Sequence, residues 1–127
     1  MYSISLNRVH DRLRVREGNE TLELRVDGDA MRMVAGLNEA QARLKTITAE
    51  STDDEKRAIA LYFAGVIFGD EQAAELMEFY GGDAACMINI CGRYFSDRLA
   101  RLIERAQKRA ARLPWYDRLF PAFRERR

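Results

Sequence analysis

Few side chains in this sequence have the chemistry of a catalytic or metal site. The one histidine, His10, stands beside Asp11, and such a pair can act as a general base. Because both residues fall in a segment that we expect to connect strands, turn polarity explains them better. A second group consists of four acidic residues along one helix edge: Asp70, Glu71, Glu75 and Glu78. Since no histidine accompanies them, we expect a solvated face rather than a metal site.

The two cysteines, Cys86 and Cys91, form no metal or redox motif. Their spacing is not C-x-x-C, and on a helix they point in different directions, so we expect two small buried apolar side chains. The sequence also lacks a nucleophile elbow, a Walker loop and a zinc-protease motif. We therefore expect a protein that is not an enzyme, with no catalytic residue, no cofactor and no metal.

Length and composition favour one compact domain. The chain has 127 residues, of which 47% are hydrophobic and 32% charged. These values exclude wholesale disorder, a collagen-like repeat and a disulfide-rich miniprotein. The longest apolar run covers only residues 58–68, whereas a membrane span needs about 20 residues. No charged-then-apolar leader opens the chain, so we expect a cytoplasmic protein without a membrane partner.

Period-two patterns near the N terminus predict an antiparallel hairpin. Apolar and polar residues alternate over 12–16 and again over 22–26, as they do in half-buried strands. The intervening residues 17–20 include Gly and Asn and suit a tight turn. Residues 2–6 alternate as well, which predicts a third strand. Because a lone hairpin is marginally stable in water, this sheet must lie on a helix.

Apolar residues at helical spacing predict a bundle of about four helices after the hairpin. The first spans roughly 29–47 and follows Asp27-Gly28-Asp29, which we interpret as a turn and helix cap. The second begins at a Thr52-x-x-Glu55 capping box, and the third is a short helix capped by Asp70. The whole pattern indicates an α+β, mostly helical fold, in which a small N-terminal antiparallel sheet packs on the bundle.

The longest helical pattern starts after Asp83 and extends to about Arg112. About thirty helical residues span about 45 Å, which is longer than a small domain is wide. We therefore expect the far half of this C-terminal helix to project or to pack on another chain. Its apolar stripe would then need a partner to cover it.

The C-terminal end differs in charge from the rest of the chain. Residues 1–92 have a net charge of −6 and residues 93–127 of +7, which suggests an acidic or nucleic-acid partner. Head-to-tail self-association or a well-solvated basic helix explains the same asymmetry better, because basic residues complement the dipole at a helix C terminus. Pro114 ends the long helix, so we assign 1–113 to a single α+β domain and 114–127 to a basic aromatic tail.

The apolar residues of the tail admit three interpretations. They dock on a partner protein, since Trp, Tyr and Arg are typical binding anchors, or they complete the core or an oligomer contact. They also suit stacking on bases or insertion at a membrane interface. We favour docking, and the predicted partner-binding residues are Leu99, Leu102, Ile103, Trp115, Tyr116, Leu119, Phe120 and Phe123.

A nucleic-acid-binding module is the alternative function. Basic side chains recur along the long helix at spacings that suit contacts with phosphates. They are Arg98, Arg101, Arg105, Lys108, Arg109 and Arg112. A solvated basic face is the simpler explanation of the same pattern, and the salt dependence of binding distinguishes the possibilities.

The middle of the chain resembles small prophage proteins of Gram-positive bacteria. An aromatic helix ends in Phe68-Gly69, a short helix ends in Phe79-Tyr80-Gly81-Gly82, and a helix carrying Cys91 and Tyr94-Phe95 follows. These proteins look like siphophage tail assembly chaperones or their neighbours in the tail operon. The resemblance implies a non-enzymatic protein that binds the tape-measure protein, covers its apolar helices, helps to recruit tail-tube subunits and forms oligomers. The Arg-rich end with Pro114-Trp115-Tyr116 departs from that pattern.

Overall fold

The structure is a computed structural model, and it describes residues 7–111. The element order is β1 (Arg8–Glu17), β2 (Glu20–Asp29), α1 (Ala30–Leu44), α2 (Asp53–Phe68), α3 (Asp70–Phe79), α4 (Ala84–Tyr94) and α5 (Ala100–Ala111). A π-helical turn, Phe95–Leu99, joins α4 to α5 without a break. The predicted α+β, mostly helical fold with a two-stranded antiparallel sheet, about four helices and a long last helix is confirmed. The predicted third strand and the boundary between domain and tail lie outside the described residues.

The hairpin is longer than the alternating pattern predicts. Pairing runs from Arg8 opposite Asp29 to Glu17 opposite Glu20. The predicted turn at 27–29 is therefore wrong, because β2 continues through it. Gly28 lies against the terminal methyl group of Met33 in α1, to which a Cβ at this position would be 2.7 Å distant. At the hairpin tip, Gly18 has a φ of 61°, as the first central residue of a type II′ turn requires.

The inner face of the hairpin forms one wall of the core. Val9, Val15, Leu24 and Val26 are buried on this face, and they follow the period-two pattern of the strands. β2 packs on α1, α2 and α3, while β1 packs on α5. The central helix is α2, which contacts α1, α3 and α4 as well as the sheet. The hairpin thus gains its stability from helices, as its small size demands.

The helix ends follow local capping rules. Asp29 caps α1 by accepting hydrogen bonds from the backbone N–H groups of residues 31 and 32, at 2.8 and 3.1 Å. Thr52 and Glu55 form the predicted capping box of α2. Gly69, with a φ of 89°, ends α2 and precedes α3. The predicted cap at Asp70 is wrong, since Asp70 is the first helical residue and no side chain caps α3.

The prediction that the far half of the long helix projects is wrong. Leu99 is 0% exposed and Ile103 5% exposed, and the buried stripe continues to Ala110. The stripe is covered within the same chain, because α5 packs against α1 and β1. The π-helical turn assists this packing: the N–H of Ala100 donates to the carbonyl of Phe95, which widens the helix by one residue. Across residues 7–111, no helix combines the length and apolar character needed to span a membrane.

Candidate functional site

Asp11 connects the first strand to the last helix. Its carboxylate is 7% exposed and accepts hydrogen bonds from the Tyr94 hydroxyl at 2.7 Å and from Nε of Arg98 at 2.6 Å. Burial opposes ionisation of this carboxyl, but the hydrogen bonds from Tyr94 and Arg98, a backbone hydrogen bond from Arg12 and the charge of Arg98 together outweigh burial and lower its pKa. Burial, followed by the hydrogen bond to Asp11, raises the pKa of Tyr94, so its hydroxyl remains a donor.

The His10–Asp11 pair considered as a general base does not form. Adjacent residues of a strand point to opposite faces, and His10 lies on the outer face while Asp11 lies on the inner one. Nδ1 of His10 is 3.3 Å from Oδ1 of Asp27, which also accepts a hydrogen bond from Arg8 at 3.0 Å. The His10 side chain is 69% exposed at the rim of a shallow concavity, and the carboxylate that it contacts there is that of Asp27 rather than Asp11.

The cysteines are not activated as nucleophiles. Cys91 is buried, and burial raises the pKa of its thiol to about 12. The half-buried Cys86 differs from the predicted apolar side chain, because its Sγ donates to Oδ2 of Asp83 at 3.2 Å. That hydrogen bond raises the pKa of Cys86. In the described part of the chain, no group of His, Cys, Asp and Glu side chains is arranged to hold a metal ion.

The residues predicted to bind a partner are only partly accessible. Leu99 and Ile103 are buried, so the idea that they form an uncovered stripe is wrong. Leu102 is half-buried and packs against the same core. The remaining predicted anchors, Trp115, Tyr116, Leu119, Phe120 and Phe123, lie outside the described residues, as does Arg112.

The predicted basic residues of the long helix are mostly engaged by neighbours. Arg98 binds Asp11, and Arg101 donates to the carbonyl of Asp97. Lys108 forms an ion pair of 2.9 Å with Glu104, an i, i+4 contact on the exposed surface. Such contacts are weak, so these cations remain able to exchange partners. Arg105 is exposed, and Nη2 of Arg109 lies 3.4 Å from the carbonyl oxygen of Arg8.

The outer face of the hairpin carries a group of arginines that are not among the predicted site residues. We call this surface the arginine face, and its members are Arg8, Arg12, Arg14, Arg16 and Arg25. Arg12 stands directly opposite Arg25, so two like charges adjoin on this face. The signal was present in the sequence, since arginine recurs at every second residue over 12–16 and such residues share one strand face.

The structure brings the arginine face together with the long helix. Arg12, Arg25 and Arg98 line one shallow concavity of about 610 Å³, and Asp11 and Asp27 line it as well. At the other end of β1, Arg109 reaches the backbone of Arg8. Basic residues from the first and last elements therefore form one surface, although they are far apart in the sequence.

A second concavity lies between the C-terminal half of β1 and the long helix, and we call it the edge groove. Its volume is about 490 Å³. The apolar floor consists of Leu13, Val15, Tyr80, Ile90 and Tyr94. Val15 and Tyr94 are nearly covered, whereas the other three are only half-buried. The groove thus offers partly exposed apolar surface to a ligand.

Arginines border the edge groove on both sides. Arg14 and Arg16 stand on the strand, while Arg93 and Arg98 stand on the helix, and all four are exposed. Asp97 is the one acidic residue in this border. An apolar floor with a charged rim is the usual composition of a protein-binding site, and Tyr and Arg are frequent anchors there.

Comparisons of the chain with protein families, with curated proteins and with solved structures find no match. Its function therefore has to be inferred from its own side chains. Two surfaces are candidates, the arginine face and the edge groove, and Arg98 is a residue predicted from the sequence that borders the groove.

Proposed function

We propose that this protein is a non-enzymatic, cytoplasmic assembly chaperone of the siphophage tail type. It binds a partner polypeptide, the tape-measure protein or a tail-tube subunit, at the edge groove. The supporting observation is the groove itself, in which half-buried Leu13, Tyr80 and Ile90 lie open to solvent between arginine borders. A partner that covers these side chains gains the free energy of apolar burial.

The proposal also rests on the resemblance in the middle of the chain, whose segments coincide with helices of the fold. α2 ends at Phe68, α3 ends at Phe79, and α4 begins at Ala84 after two glycines with positive φ. The same boundaries separate the three sequence segments that carry the resemblance. No binding residue transfers from the family, so the groove residues are argued from burial and charge alone.

Self-association belongs to the same proposal. Two large apolar side chains on the helical side are exposed, Met31 at 48% and Leu61 at 37%. They lie on α1 and α2, neither of them in the edge groove. Light scattering across a range of protein concentrations tests this part: we expect oligomers, and a monomer at all concentrations would contradict it.

Co-expression with the tape-measure protein of the same phage genome tests the proposed function. We expect Ile90→Ser to weaken co-purification about tenfold or more, because a central apolar contact is lost. Ile88→Ser is the matched control, since it makes the same change at another half-buried isoleucine of α4 that does not line the groove. Equal capture by the unchanged protein and both variants would contradict binding at the groove.

Nucleic-acid binding is the second candidate function. The convergence of Arg12, Arg25 and Arg98 on one concavity favours it. A gel shift at two ionic strengths, with Arg105→Glu and Arg109→Glu, distinguishes the two functions. Binding to phosphates weakens steeply as salt rises, whereas apolar docking does not. If no shift occurs at low salt, nucleic-acid binding is excluded.

A further inference from the structure

The outer edge of β2 is closed by a side chain at Arg25. Oε1 of Gln72 accepts a hydrogen bond from the backbone N–H of Arg25 at 2.8 Å, and Nε2 of Gln72 donates to the carbonyl of Arg25 at 2.7 Å. The amide therefore takes the place that a neighbouring strand would occupy. Both backbone groups of Arg25 point away from β1.

The orientation of Arg25 determines which way the backbone of β1 points. In an antiparallel pair, residues that exchange both hydrogen bonds alternate with residues whose N–H and C=O point outward. The N–H and C=O groups of Arg25 point away from β1, so those of its partner Arg12 point away from β2. Because the direction alternates along a strand, the N–H and C=O groups of Arg14 and Arg16 also point away from β2. Arg8 agrees, because its carbonyl accepts a hydrogen bond from Arg109 outside the sheet.

β1 therefore has an edge of backbone donors and acceptors. Among residues 7–111, β2 is the one strand that pairs with it, and β2 lies on the other side. This edge borders the edge groove, since Arg14 and Arg16 line the groove together with Leu13. A strand placed there would meet backbone groups on one side and the apolar floor below.

Charge decides which strand fits this position. A second copy of β1 would place arginine against arginine, which is unfavourable. The tail of the same chain carries Arg118, Arg124, Arg126 and Arg127 against Asp117 and Glu125, so it too is net basic. In an acidic strand, the side chains on the outer face of the sheet pair with Arg14 and Arg16, while the side chains on the inner face reach the apolar floor.

We propose that the edge groove receives an extended segment of a partner protein, which adds to β1 as a third strand. Acidic and apolar side chains alternate in this segment, with the acidic ones beside Arg14 and Arg16 and the apolar ones over Leu13 and Ile90. The inference rests on the proposed polypeptide-binding function and specifies both the chemistry of the bound segment and its extended, rather than helical, conformation.

Synthetic peptides test the strand with the unchanged full-length protein. The probe is a short fluorescent peptide that alternates valine and glutamate. The controls are the same peptide with N-methyl groups at alternate backbone positions, and a peptide that alternates valine and lysine. N-methylation removes the edge hydrogen bonds but keeps charge, so we expect at least about tenfold weaker binding in fluorescence anisotropy. The lysine peptide is expected to bind least.

Variants of Arg14 test the edge from the protein side. Arg14→Pro removes an N–H that points away from β2, so the ladder within the hairpin is preserved. Arg14→Ala removes the same charge and keeps the N–H. We expect the proline variant to bind the glutamate peptide at least about tenfold more weakly than the alanine variant. Circular dichroism verifies folding, and the N-methylated peptide gives the answer if the proline variant unfolds.

The outcomes separate this inference from the proposed function. Equal binding of the plain and N-methylated glutamate peptides overturns strand addition, while the proposed polypeptide binding stands. Equal binding of the glutamate and lysine peptides overturns an acidic partner. If no peptide binds, the inference is overturned, and co-expression with the tape-measure protein decides the function independently. Loss of self-association in Arg14→Pro, without loss of peptide binding, would assign the edge to a second copy.

Discussion

Asp11 combines burial with charge on the inner face of a strand. Its two partners lie on the long helix, and the Tyr94 hydroxyl comes from 83 residues away along the chain. A nearly covered carboxylate needs such donors, because an unpaired buried charge is costly. The contact therefore fixes the position of β1 relative to the long helix, and with it one wall of the edge groove.

Replacement of this carboxyl should make stability less sensitive to acid. Because the folded protein lowers the pKa of Asp11, its ionised form contributes stability above the ordinary value of about 4, which is lost as pH falls through the lowered pKa. We expect Asp11→Asn to cost about 1–3 kcal/mol at neutral pH. Urea unfolding between neutral and strongly acidic pH should show this difference shrinking in acid. A constant difference would contradict the ionised contact.

Local sequence could not predict this arrangement. The expectation that His10 and Asp11 lie in a segment connecting strands is wrong, because both belong to β1, which turns them to opposite faces. The polar Asp11 also occupies an inward position between Val9 and Leu13, so the alternating pattern did not indicate that β1 begins at Arg8. Its partners become visible only when the long helix folds back on the strand.

Among the elements, α1 and α2 approach closely at Gly36. A Cβ at this position would lie 2.7 Å from Cγ1 of Val66 in α2, and the stiff branched side chain cannot yield easily. The glycine is thus a packing residue, and the predicted helix pattern gave no sign of this role.

Gly36→Ala should therefore destabilise the protein despite the better helix propensity of alanine. Overpacking lowers the free energy of unfolding by about 1–3 kcal/mol, whereas the higher helix propensity of alanine raises it by about 1 kcal/mol. Urea unfolding of the single and double variants tests this, and Val66→Ala should remove the penalty of the alanine. Gly92→Ala is the matched control: a Cβ there meets nothing within 4 Å, so we expect stabilisation by about 1 kcal/mol. A similar effect at both glycines would contradict the close contact.

Gln72 offers a test of the closed edge of β2. Gln72→Met keeps the length of the side chain but removes both hydrogen bonds to Arg25. We expect the free energy of unfolding to fall by about 1–3 kcal/mol. Hydrogen exchange at the Arg25 amide should become faster, because that amide loses its acceptor. Unchanged exchange at this amide would show that Gln72 does not act as a substitute strand.

The starts of α1, α2 and α4 were predictable because capping is local, whereas the Asp70 cap was wrong and the placement of whole helices was not predictable. The Thr52–Glu55 capping box and the Asp83 cap need only a few neighbouring residues. The length of the last helix suggested that it projects, yet α1 and β1 cover its apolar stripe. That cover depends on tertiary contacts, which periodicity alone does not contain.

At the scale of the molecule, folding brings together charged residues that the sequence keeps in separate regions. The chain is acidic over its first 92 residues and basic beyond them. Folding nevertheless gathers arginines from both regions, since Arg12 and Arg25 meet Arg98 at one concavity. The basic surface is therefore larger than the C-terminal segment, and it lies beside the edge groove.

Truncation after Leu113 tests the contribution of the tail to the whole molecule. We expect weaker binding of the tape-measure protein and less self-association, because Trp115 and Tyr116 are of types that often anchor interfaces. Co-purification and light scattering measure the two effects, with thermal unfolding as the check on folding. Unchanged affinity and unchanged oligomers would show that the tail is not a docking segment.

The π-helical turn at Phe95–Leu99 restricts how the length of this protein can vary. Each residue added to or removed from a helix rotates everything after it by about 100°. The turn already holds one residue more than a regular helix would need, because the buried stripe steps from Tyr94 to Leu99. Loss of one residue here would leave a regular α-helix with Ile103 still facing the core, whereas a further insertion would rotate Ile103 and Ala106 away from it. Other insertions and deletions in natural variants should be sought in the connection between α1 and α2, where a change of length leaves the rotational phase of the last helix intact.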